Sequence, residues 1–344
     1  MKKLKLSLVI FFILLFADIN FSFAQPETSK ISSSPGAFSR MGFGARGMAM
    51  GNAMTSVISG SVSPYYNPSL NAFVDDNLIH LGYSFLALDR KLNFVQLSKK
   101  VLLYKRDELG NKTDEVYSSA GISVGLINSS VDNIDGRDRS GIQTKTYSTS
   151  ENQFFLSVSI SPFDRLTFGI TSKYYHYSLF EKVSSKSLGF DFGMIYRAIE
   201  SDKIGKVVVG TFIGDINSKY RWDTAPVYEQ EGKLTIDKFP LLTRIGVSYY
   251  LPNENLIAAL DFESTNLGTK ILRFGTELVL IDFVRIRLGI DRLNLENSDM
   301  IPKISLGFGL RHNLYDYDFE LNYAFVTEPY SPMNQHIISL GVKL

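Results

Sequence analysis

The sequence predicts an all-β membrane fold: an antiparallel transmembrane β-barrel of about 14 strands with a short N-terminal plug segment. Three observations predict it. Segments of about ten residues alternate apolar with polar or glycine residues, most clearly in the last third of the chain. An export signal precedes them, and no other stretch approaches about 18 uninterrupted apolar residues. The connections alternate between long and short, as expected when every second turn lies on the same side of a membrane.

The front of the chain sets the compartment. Lys2, Lys3 and Lys5 form a positive region, Leu6 to Phe16 an apolar run, and Ser22-Phe23-Ala24 a small-x-small cleavage site before Gln25. The run is too short for a spanning helix and Asp18 follows it, so cleavage near Ala24 is expected. The chain then divides into a signal peptide (1–24), a plug segment (25–73) and a barrel (74–344), with integral placement in a bacterial outer membrane and its lipid. A mean hydropathy near zero suits a barrel whose apolar residues are diluted by a polar lumen. Tyrosine (18) far exceeds tryptophan (1), and aromatics at 13% suit interfacial girdles. Cysteine is absent, which excludes disulfides and thiolate metal sites. Loss of residues 1–24 removes Lys2, Lys3, Lys5 and Asp18 and leaves 33 basic against 34 acidic residues. This near-neutrality argues against nucleic acid as a partner.

The strands follow in order. The first, 77–87, places Ile79, Leu81, Tyr83 and Phe85 on one face and His80, Gly82 and Ser84 on the other. The second, 92–104, alternates poorly. The third, 117–127, sets Ala120, Ile122, Val124 and Leu126 against Ser119, Gly121, Ser123 and Gly125. The fourth (152–161), fifth (165–179) and sixth (186–197) use Phe154, Leu156 and Val158, then Leu166, Phe168 and Ile170, then Leu188, Phe190 and Phe192. The seventh, near 206–216, is ambiguous in register because Val207, Val208 and Val209 are consecutive. The eighth, 241–251, sets Ile245, Val247 and Tyr249 against Arg244, Gly246 and Ser248. The ninth (256–263) and tenth (271–280) precede four clean strands built on Val284 to Ile290, Ile304 to Leu310, Tyr317 to Phe325 and Ile338 to Leu344.

The connections give an independent test. Both termini of an even-stranded barrel face the periplasm, so connections after odd strands lie outside and are long. The stretches 128–151, 217–240, 292–302 and 327–335 are long and follow odd strands. Short ones at 162–165, 252–255, 280–283 and 313–314 follow even strands. Two joints depart from the pattern: 88–91 is short and 105–116 is long.

Ahead of the barrel, Ala45 to Val57 reads as a short, weakly amphipathic helix. Its Gly47 and Gly51 form a GxxxG spacing, which in a non-spanning segment points to close packing inside the barrel. The glycines form no phosphate loop, because GxxxxGK[ST] is absent. Tyr66-Asn67-Pro68 reads as a turn into the first strand. A barrel of this size has a lumen to fill, and 25–73 is the natural filler.

These residues also carry a family likeness. Arg46-Gly47, Met50-Gly51-Asn52-Ala53 and Tyr66-Asn67-Pro68-Ser69-Leu70, just after a signal peptide, resemble the PorV/PorQ family within the wider FadL-like group of outer-membrane barrels. Further matches are Phe168-Gly169-Ile170 through Lys173-Tyr174, Gly189 to Tyr196, Arg244-Ile245-Gly246-Val247 and Phe274-Gly275-Thr276-Glu277. The likeness spans nearly the whole mature chain. It implies a fourteen-strand FadL-type barrel with an N-terminal plug motif (Arg46, Gly47, Gly51, Asn52, Tyr66, Asn67, Pro68). It also implies a role in type IX secretion as a shuttle or scaffold, with the translocon or cargo C-terminal domains as partners. Many barrels end in Phe; this chain ends in Leu344, a weaker assembly signal.

Candidate chemistry is sparse. Inward polar positions include Asp191, Arg244, Asp261, Arg273, Glu277, Arg285, Arg287, Asp291 and Arg311, with Arg197, Glu263, Asp318 and Glu320. Their balanced signs read as a luminal salt-bridge mesh; a ligand path or plug-docking surface is the functional alternative. His80, His176, His312 and His336 are scattered, with no HExxH and no nucleophile elbow, although Ser119, Ser123, Ser157 and Ser159 point the same way as His80. Asp132, Asp135 and Asp138 resemble a calcium loop in composition only. No enzyme activity, cofactor or metal is expected. Tyr220, Arg221, Trp222 and Tyr228 in the 217–240 connection are candidates for an external contact, or for a loop folded over the barrel mouth. The leading expectation is a secretion scaffold of the PorV/PorQ type. The competing class is a FadL-like transporter of a hydrophobic small molecule, for which Phe155, Ile195 and Phe212 are candidate pocket residues; a purely structural barrel is the third.

Overall fold

Lipid offers no partner to a backbone N–H or C=O, so a sheet that crosses it must close on itself. The computed structural model describes residues 31, 34–75, 77–107, 111–180, 183–228, 232–297 and 299–344. The expected signal peptide lies outside the described residues. The strands are β1 (Asn77–Phe85), β2 (Arg90–Arg106), β3 (Lys112–Arg137), β4 (Gln143–Phe163), β5 (Leu166–Phe180), β6 (Val183–Ser201), β7 (Gly205–Ile216) and β8 (Lys219–Asp223). They continue as β9 (Leu234–Lys238), β10 (Leu242–Tyr250), β11 (Leu256–Thr265), β12 (Lys270–Ile281), β13 (Val284–Asn294), β14 (Lys303–Leu314), β15 (Tyr317–Val326) and β16 (Gln335–Lys343). Fourteen of these form one closed antiparallel barrel, and each of the fourteen expected strands is among them. The order follows the chain, except that β7 pairs directly with β10 while β8 and β9 pair only with each other. Closure is made by β1 and β16, paired from Leu78↔Lys343 to Phe85↔His336.

The period-two pattern fixes which face meets lipid. On β10 Thr243, Ile245, Val247 and Tyr249 point out, while Leu242, Arg244, Gly246, Ser248 and Tyr250 are buried inside. The same alternation puts Ile304, Leu306, Phe308 and Leu310 of β14 outside. The ambiguous seventh strand is settled by its partner: Val208 lies opposite Ser248 and Phe212 opposite Arg244, so both face inward. The exposed apolar residues continue around the wall, as a lipid-facing belt requires.

The expected long connections differ in form. Most of 128–151 is paired strand, with β3 running to Arg137 and β4 starting at Gln143. Around 105–116 the β2–β3 ladder continues through Tyr104↔Val116 to Arg106↔Lys112. In both cases side chains that look like loop in composition pair across a ladder. The 217–240 connection holds β8, a four-residue helix α2 (Ala225–Tyr228) and β9, giving the sixteen strands named above.

Inside the barrel lies the segment 34–75. Its helix α1 (Gly44–Ala49) packs against β1 and β13–β16, and a 3₁₀ turn at Pro68–Phe73 packs against β2–β6. The helix is shorter than the expected 45–57. Gly51 and Asn52 both adopt left-handed backbone angles (φ +59° each), which stops the helix just past Ala49.

The belt yields a stability prediction. Leu306→Arg, in the middle of the β14 wall, should cost roughly 2–4 kcal/mol of unfolding free energy in lipid vesicles, against about 0–1 for Leu314→Arg at the turn end of the strand. Urea titration of the refolded barrel reads both; equal costs would mean that this face does not meet hydrocarbon.

Candidate functional site: the plugged lumen

The plug meets the wall through charge and through close backbone contact, the two interleaved on β12 and β13. Arg46, on α1, is 2% exposed. Its guanidinium donates from Nε and Nη2 to the two oxygens of Glu277 (2.8 and 2.9 Å) and from Nη1 to the Ser59 carbonyl (2.6 Å). Burial alone would lower the Arg46 pKa, but the Glu277 carboxylate outweighs it and holds the pKa above its ordinary value. Glu277 also accepts from Arg287 (2.5 Å), which reaches Glu320 (3.1 Å) and Asn322 (2.6 Å). Ser61 of the plug donates to Glu320 (2.5 Å) and ends this chain.

A second chain starts at Asn52, whose side chain donates to Asp291 (3.0 Å). Arg273 joins Asp291 (2.7 Å) to Glu263 (3.1 Å), and Glu263 pairs in turn with Arg244, which lies 4.6 Å above the Phe212 ring. Four arginines (46, 244, 273, 287) thus face four carboxylates (263, 277, 291, 320) in direct contact. Such a set is tolerated only while each charge keeps its partner. Asp261 is buried apart and accepts from the Thr55 amide (3.0 Å) and hydroxyl (2.6 Å). Across the lumen Lys173 holds Asp191 (2.7 Å) and Asp215 (3.1 Å), and Tyr175 donates to Asp215 (2.8 Å).

Between these charges and around the rest of the circle, wall glycines remove side chains from the contact. Gly121 lies so close to the plug that a Cβ there would stand 2.0 Å from the Asn71 carbonyl oxygen, and one on Gly289 would stand 2.1 Å from the Gly51 nitrogen. Gly169, Gly193, Gly210 and Gly275 approach plug atoms in the same way. Within the plug, Gly47 leaves room for the Tyr66 hydroxyl, which accepts from the Phe43 amide (3.0 Å) and donates to Asn52 (2.8 Å). Burial raises the pKa of that phenol well above its ordinary value, so it stays protonated and able to donate. Asn67 caps the 3₁₀ turn by accepting from the Ser69 amide (3.1 Å). Its amide donates to the Thr55 carbonyl (2.9 Å) and to the β7 carbonyl of Thr211 (3.2 Å). Pro68 follows against Gly169 and Gly193.

Not every sequence-level candidate joins this arrangement. Arg285 is half-buried and makes no ion pair among the described residues. Arg311 pairs with Asp318 (2.5 Å) at the rim, and Arg197 with Glu200 (3.0 Å), both away from the plug. Phe155 and Ile195 belong to the plug–wall core and Phe212 stacks under Arg244, so none lines an open pocket. His80 is buried, edge-on to Phe43 and Phe94, with neither ring nitrogen hydrogen-bonded among the described residues. Ser123 bonds Asn71 and Ser98 (2.6 Å each), so no serine–histidine pair forms there. Asp132 pairs with Lys91, Asp135 with Arg137, and Asp138 caps a turn at the Ser140 and Ile142 amides. Sequence reasoning missed Lys173 and Asp215. Lys173 sits at a regular inward position of β5. Asp215 is turned inward by a bulge opposite Asp191, with φ +61°, which no alternation pattern reveals.

The external candidates are spread over two environments. Tyr220 is 2% exposed and bonds Glu151 (2.9 Å), packed with Tyr177, Trp222 and Phe239. It is therefore withdrawn from any outside contact. Phe239 continues to Tyr175, and Tyr175 to Phe38 of the plug. Trp222 is half-buried and bonds Asp237 (2.8 Å), while Arg221 is exposed. Tyr228 closes α2, and its side chain lies outside the described residues. The 217–240 connection thus folds over the mouth through an aromatic stack.

No protein-family model matches the chain, and no curated protein matches it in sequence. Solved structures match it in shape. The toluene transporter TodX of Pseudomonas putida aligns with a TM-score of 0.55 at 15% identity, over 88% of this chain and 96% of that one. A TodX monoaromatic hydrocarbon channel variant, deltaS2S3, gives 0.57 at 15% identity over 88% and 97%. The toluene transporter TbuX of Ralstonia pickettii gives 0.53 at 9% identity over 88% and 97%. At these identities the likeness is one of fold.

Two variants probe the docking. Arg46→Ala leaves the buried Glu277 short of a partner and should cost roughly 3–5 kcal/mol by chemical unfolding, with Glu277→Gln in the same chain returning part of it. Gly121→Val should dislodge the 3₁₀ turn while the barrel still closes. The expected signature is heat-modifiable migration like the wild type together with faster proteolysis within 34–75; unchanged proteolysis would show that Gly121 does not seat the plug.

Proposed function

We propose that the protein is an outer-membrane transporter in which a hydrophobic small molecule crosses the barrel lumen when the plug shifts. The observation that carries this reading is a barrel closed to lipid whose interior is blocked by a separate, non-strand segment. That segment is held by ion pairs and hydrogen bonds and has no covalent tie other than the chain itself. Polar contacts of this kind exchange between two arrangements more readily than strand ladders do. The fold likeness to the toluene transporters TodX and TbuX supports the same reading. The lumen is FadL-like in this sense: a route that exists only when the plug moves.

A scaffold role in type IX secretion, which the sequence resemblance implies, has weaker support. The residues that carry the resemblance, among them Arg46, Gly51, Asn52, Tyr66 and Asn67, are inside the barrel and are accounted for by docking the plug. They present nothing to a translocon or to a cargo C-terminal domain. Arg221 and the β3–β4 extension are the outward surfaces such a partner would have to use.

The absence of native cysteine makes a clean test available. Asn71 and Ser123 touch side chain to side chain (2.6 Å), so Asn71→Cys with Ser123→Cys ties the plug to β3. In proteoliposomes, uptake of small aromatic probes, neutral toluene and anionic benzoate, should stop in the oxidised pair and return with reductant. Uptake indifferent to the crosslink would overturn a luminal route. A mild-detergent pull-down that recovered a large translocon barrel would move the reading to secretion.

A further inference from the structure

Between the plug and the outer connections lies a cavity of about 210 Å³ that the charge mesh does not fill. Five basic side chains line it (Arg40, Arg90, Arg273, Arg292, Lys303), against two acidic ones, Glu263 and Glu328. Both acids are already used. Glu263 is held by Arg244 and Arg273, and Glu328 by Lys303 and Gln335. Asp291, just outside the lining, serves Arg273 and Asn52 and stands 3.9 Å from Arg292. Counting it as well, positive charge exceeds negative by two.

The unspent cations are arranged in depth. Arg90 is exposed at the rim and donates to the Ala87 carbonyl (3.0 Å). Arg292 is partly buried and donates to the Arg40 carbonyl (3.3 Å). The Arg40 guanidinium donates to the Pro35 and Ser34 carbonyls (2.9 and 3.1 Å). Among the described residues neither Arg40 nor Arg90 has a carboxylate within ion-pair distance. Burial lowers the Arg40 pKa below its ordinary value; the more distant Asp215 carboxylate opposes the shift and Arg292 adds to it. A largely buried guanidinium with no carboxylate at ion-pair distance, and a second arginine bonded to its backbone carbonyl, carry an electrostatic cost that an anion would relieve. The remaining wall is mixed, with Met41, Leu86, Ile271, Met300 and Met333 interrupted by Thr269, Asn294, Ser331 and Gln335. Methionine offers an adaptable surface to a flat or short apolar body.

We propose that this cavity binds a compact organic anion, its charged group between Arg40 and Arg292 and its apolar part against the methionines, with Arg90 drawing it in from outside. The volume sets the size. It lies below the roughly 300–1,000 Å³ of sites for drug-sized molecules, which favours a single ring or a short chain with one carboxylate over a long acyl chain. The site names a substrate class for the transporter reading and rests on it for its purpose, but its existence is independent of any transport.

The experiment is therefore a binding measurement on the full chain in detergent. Benzoate is titrated by calorimetry beside benzyl alcohol, its neutral counterpart, and inorganic phosphate. Benzoate should bind, and benzyl alcohol should bind at least tenfold more weakly. Arg40→Gln and Arg292→Gln should each weaken benzoate roughly tenfold, as expected for the loss of a charge-assisted contact. Arg90→Gln, at the exposed rim, should slow association with little change in dissociation. Equal binding of benzoate and benzyl alcohol, or indifference to Arg40→Gln and Arg292→Gln in a folded barrel, would overturn the proposal. So would binding of phosphate alone, which would mark a bare anion site such as a lipid phosphate uses. Benzoate binding without crosslink-sensitive uptake would keep the site and remove the transporter. Crosslink-sensitive uptake without benzoate binding would do the reverse.

Discussion

The Arg46–Glu277 ion pair joins the plug segment to the barrel wall, and the charge mesh of the interior is arranged around it. Closing fourteen strands satisfies the backbone in lipid but leaves a lumen too wide for wall side chains alone to fill. A filler must come from elsewhere in the chain, and it must be held without strands. Inside the barrel a guanidinium with bidentate carboxylate geometry provides direction as well as attraction. Glu277 is shared with Arg287, and Arg287 with Glu320, so displacement of Arg46 disturbs a chain of partners reaching back to the plug at Ser61.

The plug is also fixed by shape. Wall glycines on β3, β5, β6, β7, β12 and β13 let plug backbone approach to distances that no side chain would permit. Asn67 completes the contact by donating to a β7 carbonyl while capping its own turn. Charge and close backbone contact thus together hold the plug, side by side on β12 and β13.

The mouth cavity adds an asymmetry. Within the mesh, four arginines face four carboxylates, while the cavity above it carries an excess of positive charge. Arg273 belongs to both, since it lines the cavity and holds Glu263 and Asp291 below. An anion arriving at Arg40 and Arg292 would therefore sit next to the chain of charges that ends at Asn52 of the plug.

The sequence by itself determined the barrel. Strand number, sidedness and the inward set on β10–β15 follow from period-two alternation, because lipid on one face and plug on the other leave each residue a single acceptable direction. It also marked Arg46, Gly47, Gly51, Asn52 and Asn67, without saying what they touch. Only the tertiary structure decided that Arg46 meets Glu277, 231 residues away, and that Tyr220 turns inward while Arg221 stays outside. It alone showed that 128–151 is mostly ladder, and that Arg40, Arg90 and Arg292 share one cavity. Alternation is a local property of each strand. Which charges pair across a lumen depends on register around the whole circle, and on the bulge at Asp215 and the left-handed residues Gly51 and Asn52, where the chain leaves its repeat.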